Sequence, residues 1–445
     1  MFTARSLIAA SRGSLAPRHL AAAVTTLQCP NPALRKLDQG VRYSTSNTAA
    51  SATDGSFAAF GHLPRDRPWT VLGIETSCDD TSVAVVTSDR RVRALVTRHQ
   101  TKQHEATGGI VPTAAAIAHS MALPGAIREA LETAGIRNTC DEIDAVAVTR
   151  GPGLAPCLGV GLTAGKNLAA VLNKPLVGVH HMEAHALTPR LTQEAPPEFP
   201  FLSLLASGGH TLLLLSEGLS RHTILGTTLD DAVGEAFDKV ARTLVLPWLP
   251  TGGGAGAALE QWAAHATGEY AVTFPVPMRD GRDKPASRLN MSFSGLKTSV
   301  FRHVQGLQER DPAAWAAAMA TSEPSSGIRA DIARAFQDAA VTHLADRLDR
   351  VLADTISVRK IHPTCVVAAG GVAANQVLRA RLGDVAEKYG LRVEVPPPRL
   401  CTDNAAMIAW TGIERLRAGL VDPWELDYVP RWPLNEFKER ETARF

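Results

Sequence analysis

The chain has 445 residues, enough to bury a large core and to favour two or three domains over one. Lys plus Arg number 46 against 44 Asp plus Glu, a net charge of +2, so any nucleic-acid contact must use a local basic patch rather than a whole-molecule field. The six cysteines (Cys29, Cys78, Cys140, Cys157, Cys365, Cys401) form no Cys-x-x-Cys pair, which argues against a zinc ribbon or a dithiol redox site and suits a reducing compartment. No apolar run approaches the roughly 20 residues of a membrane span, so no membrane partner is expected.

Residues 1–66 read as an address. Arg5, Arg12, Arg18, Arg35, Lys36 and Arg42 are balanced before Asp54 only by Asp38, and Leu7, Ile8, Leu15 and Leu20 offer an apolar helical face. An Arg-rich, Ser-rich, acid-poor amphipathic leader has the composition of an organellar transit peptide, and a disordered tail with no address is the plain alternative. Val41-Arg42-Tyr43-Ser44 resembles a matrix-protease site, so the mature chain is expected in the mitochondrial matrix.

Beyond Pro68 the spacing predicts a buried strand, Trp69 to Glu75, a polar turn Thr76-Ser77-Cys78-Asp79-Asp80, and a second strand, Thr81 to Val86. The plan returns at Phe201 to Leu205, which leads through Ala206-Ser207-Gly208-Gly209-His210 into Thr211 to Leu215. Two such hairpins imply a two-lobed α/β protein with a ligand cleft between lobes. Residues 67–200 form the first lobe on this reading and 201–410 the second, with 411–445 packing back on them. Helices are expected over Ala114 to Thr133, with Ile117, Met121, Leu123, Ile127 and Leu131 on its apolar face, and over Ile328 to Leu352.

Three glycine-bearing turns stand out: Gly151-Pro-Gly153, Ser207-Gly208-Gly209 and Gly370-Gly371-Val-Ala-Ala-Asn375. The last follows a strand and opens a helix, where backbone N–H groups can approach a phosphate or sugar and Asn375 can cap the helix or bind a ligand. A tight strand-to-helix turn is the plain alternative. Gly161-Leu-Thr-Ala-Gly165-Lys166-Asn167 has the wrong spacing for a P-loop.

His180-His181-Met182-Glu183-Ala184-His185 is the most chemically pointed segment. Residues four apart share a helical face, so His181 and His185 can grip one metal ion, unless they merely cap or pack the helix. Glu183 lies about 200° round from each and faces away. A zinc protease carries its acidic base directly after the first histidine, and Met182 stands there. Two histidines leave a site underfilled, so an oxygen ligand is expected from elsewhere.

Together the motifs resemble those of the tRNA N6-adenosine threonylcarbamoyltransferases, once misnamed glycoproteases. The match runs in order from Val71 to about Pro433. It takes in Leu72-Gly-Ile-Glu-Thr-Ser-Cys-Asp-Asp80, Gly108-Gly-Ile-Val-Pro112, Gly151-Pro-Gly-Leu154, His180 to His185 and Ser207-Gly-Gly-His-Thr211. It continues through Asp230 to Lys239, Ser292 to Thr298, Ala369 to Asn375 and Cys401 to Ala409. Two departures are the run Leu246 to Gly254 and Thr113, where many bacterial members carry Glu.

The resemblance implies two ribonuclease-H-like lobes of the actin and Hsp70 type around a nucleotide cleft. It implies one divalent metal ion (iron, zinc or magnesium) per subunit on His181, His185 and Asp403. Substrate positions map onto Leu205, Ala206, Ser207, Gly208, Gly209, Asp238, Gly256, Glu260, Ala374, Asn375 and Thr402. The implied reaction passes the threonylcarbamoyl group of threonylcarbamoyl-AMP to mitochondrial tRNA, and the implied assembly is a homodimer. Asp79 is the candidate catalytic residue, with a turn-stabilising role as its alternative. Arg279, Arg282, Lys284, Arg288 and Lys297 offer a basic stretch to RNA, or a solvated face. An Hsp70-like ATPase or chaperone and a metalloprotease are the competing readings.

Overall fold

The computed structural model describes residues 63–64, 66–100, 110–247, 254–279, 288–436 and 443–444. The leader with its cleavage segment, Gly108 and Gly109, most of the Leu246–Gly254 run, and Arg282 and Lys284 lie outside these residues.

Two five-stranded mixed sheets organise the described chain. The first holds β1 (Thr70–Glu75), β2 (Thr81–Thr87), β3 (Val92–Arg98), β4 (Ala145–Gly151) and β5 (Leu176–His180) in the order β3-β2-β1-β4-β5. The second holds β6 (Phe201–Ala206), β7 (Thr211–Gly218), β8 (Arg221–Thr227), β9 (Val366–Ala369) and β10 (Val393–Glu394) in the order β10-β9-β6-β7-β8. In each sheet the first three strands meander antiparallel and the last two run parallel to the first. The same topology thus occurs twice, the duplication read from the two hairpins. Both hairpin turns lie at the same end of their sheets, the carboxyl end of the parallel strands, where α/β proteins place their sites.

The strands are near-continuous Val, Ile, Leu and Thr runs because both sheet faces are covered. On the first sheet, α1 (Pro112–Thr133) and α3 (Ala155–Leu172) cover one face, with α2 (Thr139–Glu142) a single turn between them. Between the sheets lie α4 (His181–Thr192) and α11 (Ala405–Arg417), whose apolar residues share a core with strands of both. The second sheet's other face carries α5 (Val233–Thr243), α6 (Gly254–Ala263), α7 (Ser294–Arg310), α8 (Pro312–Ala318), α9 (Ile328–Ser357) and α10 (Gln376–Glu387). Short pairs β11 (Leu420–Val421) and β12 (Ala443–Arg444) complete the elements.

Helix α11 sits close against β1 because Gly73 lacks a side chain; a Cβ there would come within 2.4 Å of Ala405 O. The helical face read for α9 is the core face: Ile332, Phe336, Ala340, Leu344 and Leu348 are all fully buried. The face read for α1 needs correction. Leu123 is buried, but Ile117 and Met121 are 61% and 80% exposed, because Ala115, His119, Ala126 and Ala130 turn inward instead. The membrane expectation is also modified: α3 is long and apolar enough to cross a membrane by length and composition, its four leucines and two valines raising the mean hydropathy. Here α3 packs beside α1 on the first sheet.

Candidate metal centre and active site

Strand β5 ends in His180, which caps α4: its Nδ1 accepts from Met182 N at 3.2 Å and its Nε2 donates to Trp432 O at 3.0 Å. Burial lowers its pKa to about 3, so it is neutral. The capping alternative therefore holds for His180 and not for its neighbours. One turn apart on α4, the rings of His181 and His185 stand edge to face with centroids 4.8 Å apart.

Both turn Nε2 to one oxygen. Asp403 Oδ1 lies 3.4 Å from His181 Nε2 and 3.0 Å from His185 Nε2. Asp403 follows a 3-10 turn (Pro398–Leu400) and directly precedes Asn404, the N-cap of α11. The Asn404 amide accepts from Met407 N and donates to Leu400 O and Thr402 O, which fixes the loop that carries the carboxylate. The ligand atoms of the three side chains all lie within 4.8 Å of one another and could hold a metal ion. The donor set, two imidazoles and a carboxylate, suits a divalent cation.

Electrostatics agree with that use. Burial opposes charge on His181, but Asp403 and then Glu75 outweigh it and hold its pKa well above the usual range. Burial likewise raises Asp403, and His181 and His185 more than reverse it, so the carboxyl stays ionised. Such a cluster of opposite charges is a ready cation site, since a divalent ion can take the place of the imidazolium proton.

Around this group stand residues of both sheets. Asp79, partly exposed in the β1–β2 turn, follows Cys78, whose thiol is pushed up by burial, by Asp79 and by Asp403. Ser207 closes the β6–β7 turn with Ser207 N to His210 O at 2.8 Å and His210 N to Ser207 Oγ at 3.1 Å. Gly208 and Gly209 face open space; a Cβ added at either would meet nothing within 4 Å. Leu205 and Ala206 are buried core residues, so only their backbone can meet a ligand. Gly370, at φ +93°, passes so near β6 that a Cβ would lie 2.4 Å from Ala206 O.

The remaining positions line the second lobe. Asp238 on α5 accepts from Gly256 N, and burial raises its carboxyl. Asp79 raises it further, so the two acids lie within electrostatic reach across the lobes. Burial also raises Glu260 on α6, which accepts from Gln376 N at 2.7 Å. Asn375 caps α10 through Leu378 N and donates to Gln337 Oε1 at 2.8 Å, so its amide already has structural partners. Ala374 closes the 3-10 turn before it, and exposed Thr402 stands opposite Gly371.

Two residues escaped the sequence reading although they lie within the motifs. Glu75 at the end of β1 accepts from His181 Nδ1 at 3.1 Å. His210 has its pKa lowered to about 4 by burial and by His181, which places a neutral imidazole near the metal group. A charged residue closing an apolar strand was the available signal for Glu75, since a buried carboxylate requires a partner.

Two other readings weaken. Glu183 is fully buried on the far side of α4, accepting from Ser220 N at 2.7 Å and His222 Nε2 at 2.9 Å, so it cannot serve as a peptidase base. The basic stretch is partly neutralised: Arg279 pairs with Asp346 and Lys297 with Asp231.

One mixed five-stranded sheet topology used twice, with glycine turns at the carboxyl ends of the parallel strands and a His-His-Asp group that could hold a metal ion, defines a duplicated α/β protein. Residues 91–410 match the profile described as TsaD, tRNA N6-adenosine threonylcarbamoyltransferase, and the chain belongs to that family. It is a transferase of t6A formation in tRNA. A protein of Arabidopsis thaliana named as probable tRNA N6-adenosine threonylcarbamoyltransferase, mitochondrial, is 42% identical over 84% of this chain and 77% of its own. A tRNA N6-adenosine threonylcarbamoyltransferase of Cereibacter sphaeroides is 46% identical over 83% of this chain and 95% of its own. Among solved structures, T. kodakarensis HypF aligns with a TM-score of 0.48 and 15% identity over 80% of this chain and 49% of that one.

Proposed function

We propose that the chain transfers the threonylcarbamoyl group of threonylcarbamoyl-AMP to N6 of adenosine 37, just 3′ of the anticodon, in mitochondrial tRNAs that read codons beginning with adenine. The observation that carries this reading is the convergence of His181, His185 and Asp403 beside the Asp79 turn and the Ser207–Gly209 turn. The new bond joins N6 to the carbamoyl carbon, the bond from that carbon to the AMP phosphate oxygen breaks, and the N6 proton goes to Asp79. His181, His185 and Asp403 would hold a divalent cation, which when bound would supply Lewis-acid stabilisation of charge at the reacting carbonyl or the departing phosphate. Backbone N–H groups of Gly208 and Gly209 face the nucleotide beside Ser207, while Asp238, Gly256, Glu260, Ala374, Asn375 and Thr402 hold the adenosine and threonyl parts.

The Arg-rich leader and the mitochondrial relative support a matrix location. Exposed Ile117 and Met121, one turn apart on α1, support a homodimer built through that face. Reconstitution with threonylcarbamoyl-AMP and unmodified mitochondrial tRNA, read by nucleoside mass spectrometry, tests the reaction. Modified adenosine is expected with the wild type, and Asp79→Asn should lower kcat by about 10²–10⁴-fold. Active control enzyme beside a silent wild-type chain would refute the assignment.

A further inference from the structure

Strand β1 ends in a carboxylate that the reaction above does not use. Glu75 is 1% exposed, and a carboxylate so far from water is costly unless donors surround it. They do. Ser77 N donates to Oε1 at 2.5 Å, and Thr149 Oγ1 and His181 Nδ1 both approach Oε2, the latter at 3.1 Å. An ionised carboxylate can only accept, so the proton of this contact belongs to His181 Nδ1. Ser77 Oγ, 3.3 Å from the same nitrogen, can rotate its own hydrogen away and accept too.

With Nδ1 carrying a proton, the only lone pair His181 can give a cation is on Nε2, and Nε2 is the atom that faces Asp403 at 3.4 Å. His185 provides the contrast. Its Nε2 faces Asp403 at 3.0 Å, but its Nδ1 is buried with no hydrogen-bond partner among the described residues. Of the two imidazoles, one is held by a neighbour and the other is not.

We propose that Glu75 is the positioning residue of the metal centre, holding the Nδ1 proton of His181 so that Nε2 turns to the cation with added basicity. An outer carboxylate behind a ligating imidazole fixes its tautomer and orientation. This rests on the reading of His181, His185 and Asp403 as the metal site. The bland alternative is a buried ion pair that only ties β1 to α4; it would alter folding stability and leave cation affinity per folded molecule unchanged.

Zn²⁺ is the probe, titrated into metal-free protein against a chromogenic chelator, with the thermal midpoint of each metal-free form measured alongside. Glu75→Gln keeps the side-chain size and removes the charge; its Zn²⁺ affinity should fall about 10- to 100-fold while the protein remains folded. Imidazole ¹⁵N spectra of Zn²⁺-loaded wild type should show a proton on Nδ1 of His181 and the metal shift on Nε2. That second measurement decides the matter if the variant does not fold. Equal affinity in folded Glu75→Gln and wild type, or zinc on Nδ1, overturns the role of Glu75 alone. A folded wild type that takes up no Zn²⁺ overturns the metal site and this inference together.

Discussion

His185 Nε2 and Asp403 Oδ1 stand 3.0 Å apart although 218 positions separate them in the chain. The contact joins the helix that follows the first sheet to the loop that follows the second. Removing Asp403 should empty the site without unfolding the protein, because its side chain is 31% exposed; His185 is buried, so its loss adds a packing cost to the loss of the ligand. His185→Ala and Asp403→Ala are each expected to lose bound metal, by elemental analysis, and at least about 100-fold in t6A formation. Full activity in metal-free Asp403→Ala would remove the cation from the reaction.

Asp80 gives a pH signature. Burial first, then Asp79, raises its carboxyl from 3.8 to about 6, with His99 opposing. A raised acid contributes stability below the unfolded value and loses it as pH climbs through the folded one. Stability should therefore fall between about pH 4 and pH 6. Asp80→Asn should flatten that slope and add roughly 1–2 kcal/mol at pH 7, read from urea midpoints across the range. The lost contact to exposed His99 offsets little of this gain. A slope unchanged in the variant would assign it to other groups.

Two glycines separate architecture from ligand contact. Gly370→Ala meets Ala206 O and a positive φ, and should cost about 2 kcal/mol or more. Gly208→Ala meets nothing, so its stability should stay within about 0.5 kcal/mol of wild type. Its KM for threonylcarbamoyl-AMP should nonetheless rise about tenfold, or about 1.4 kcal/mol, as the methyl intrudes on the nucleotide. An unchanged KM would take the Ser207–Gly209 turn out of the substrate site.

The exposed face of α1 predicts assembly. Met121→Glu places a charge where an apolar side chain is 80% exposed. It should convert a dimer to a monomer by light scattering without lowering the thermal midpoint of the monomer. A dimer that survives the substitution uses another face.

Much of the site was legible because its parts are local. The spacing of His181 and His185 on one helix turn, the direction of Glu183 away from them, and the two glycine turns all follow from period and turn chemistry. Asp403 was not legible that way; no local rule links it to residues so far upstream, and only the order of motifs pointed to it. Helical period found the stripe on α1 that sets Leu123, Ile127 and Leu131 against the core but extended it to Ile117 and Met121, which are exposed while Ala115 and His119 pack inward on the first turns. Likewise nothing in the pattern of α11 says that it crosses from the second sheet to lie on the first. That placement is set by tertiary fit at Gly73.

The threading of α11 has a temporal corollary. The face of β1 opposite α1 and α3 finds its covering helix, and α4 its acidic partner, in residues 403–417, and the Gly151–Gly153 turn is held by Val429 N to Arg150 O and by Gly153 N to Pro430 O. A polypeptide emerging amino end first from a ribosome therefore cannot assemble the group of His181, His185 and Asp403 until residue 403 has appeared. Copies cut short of Asp403 would lack one side chain of the group, which ties its completion to the synthesis of the second sheet.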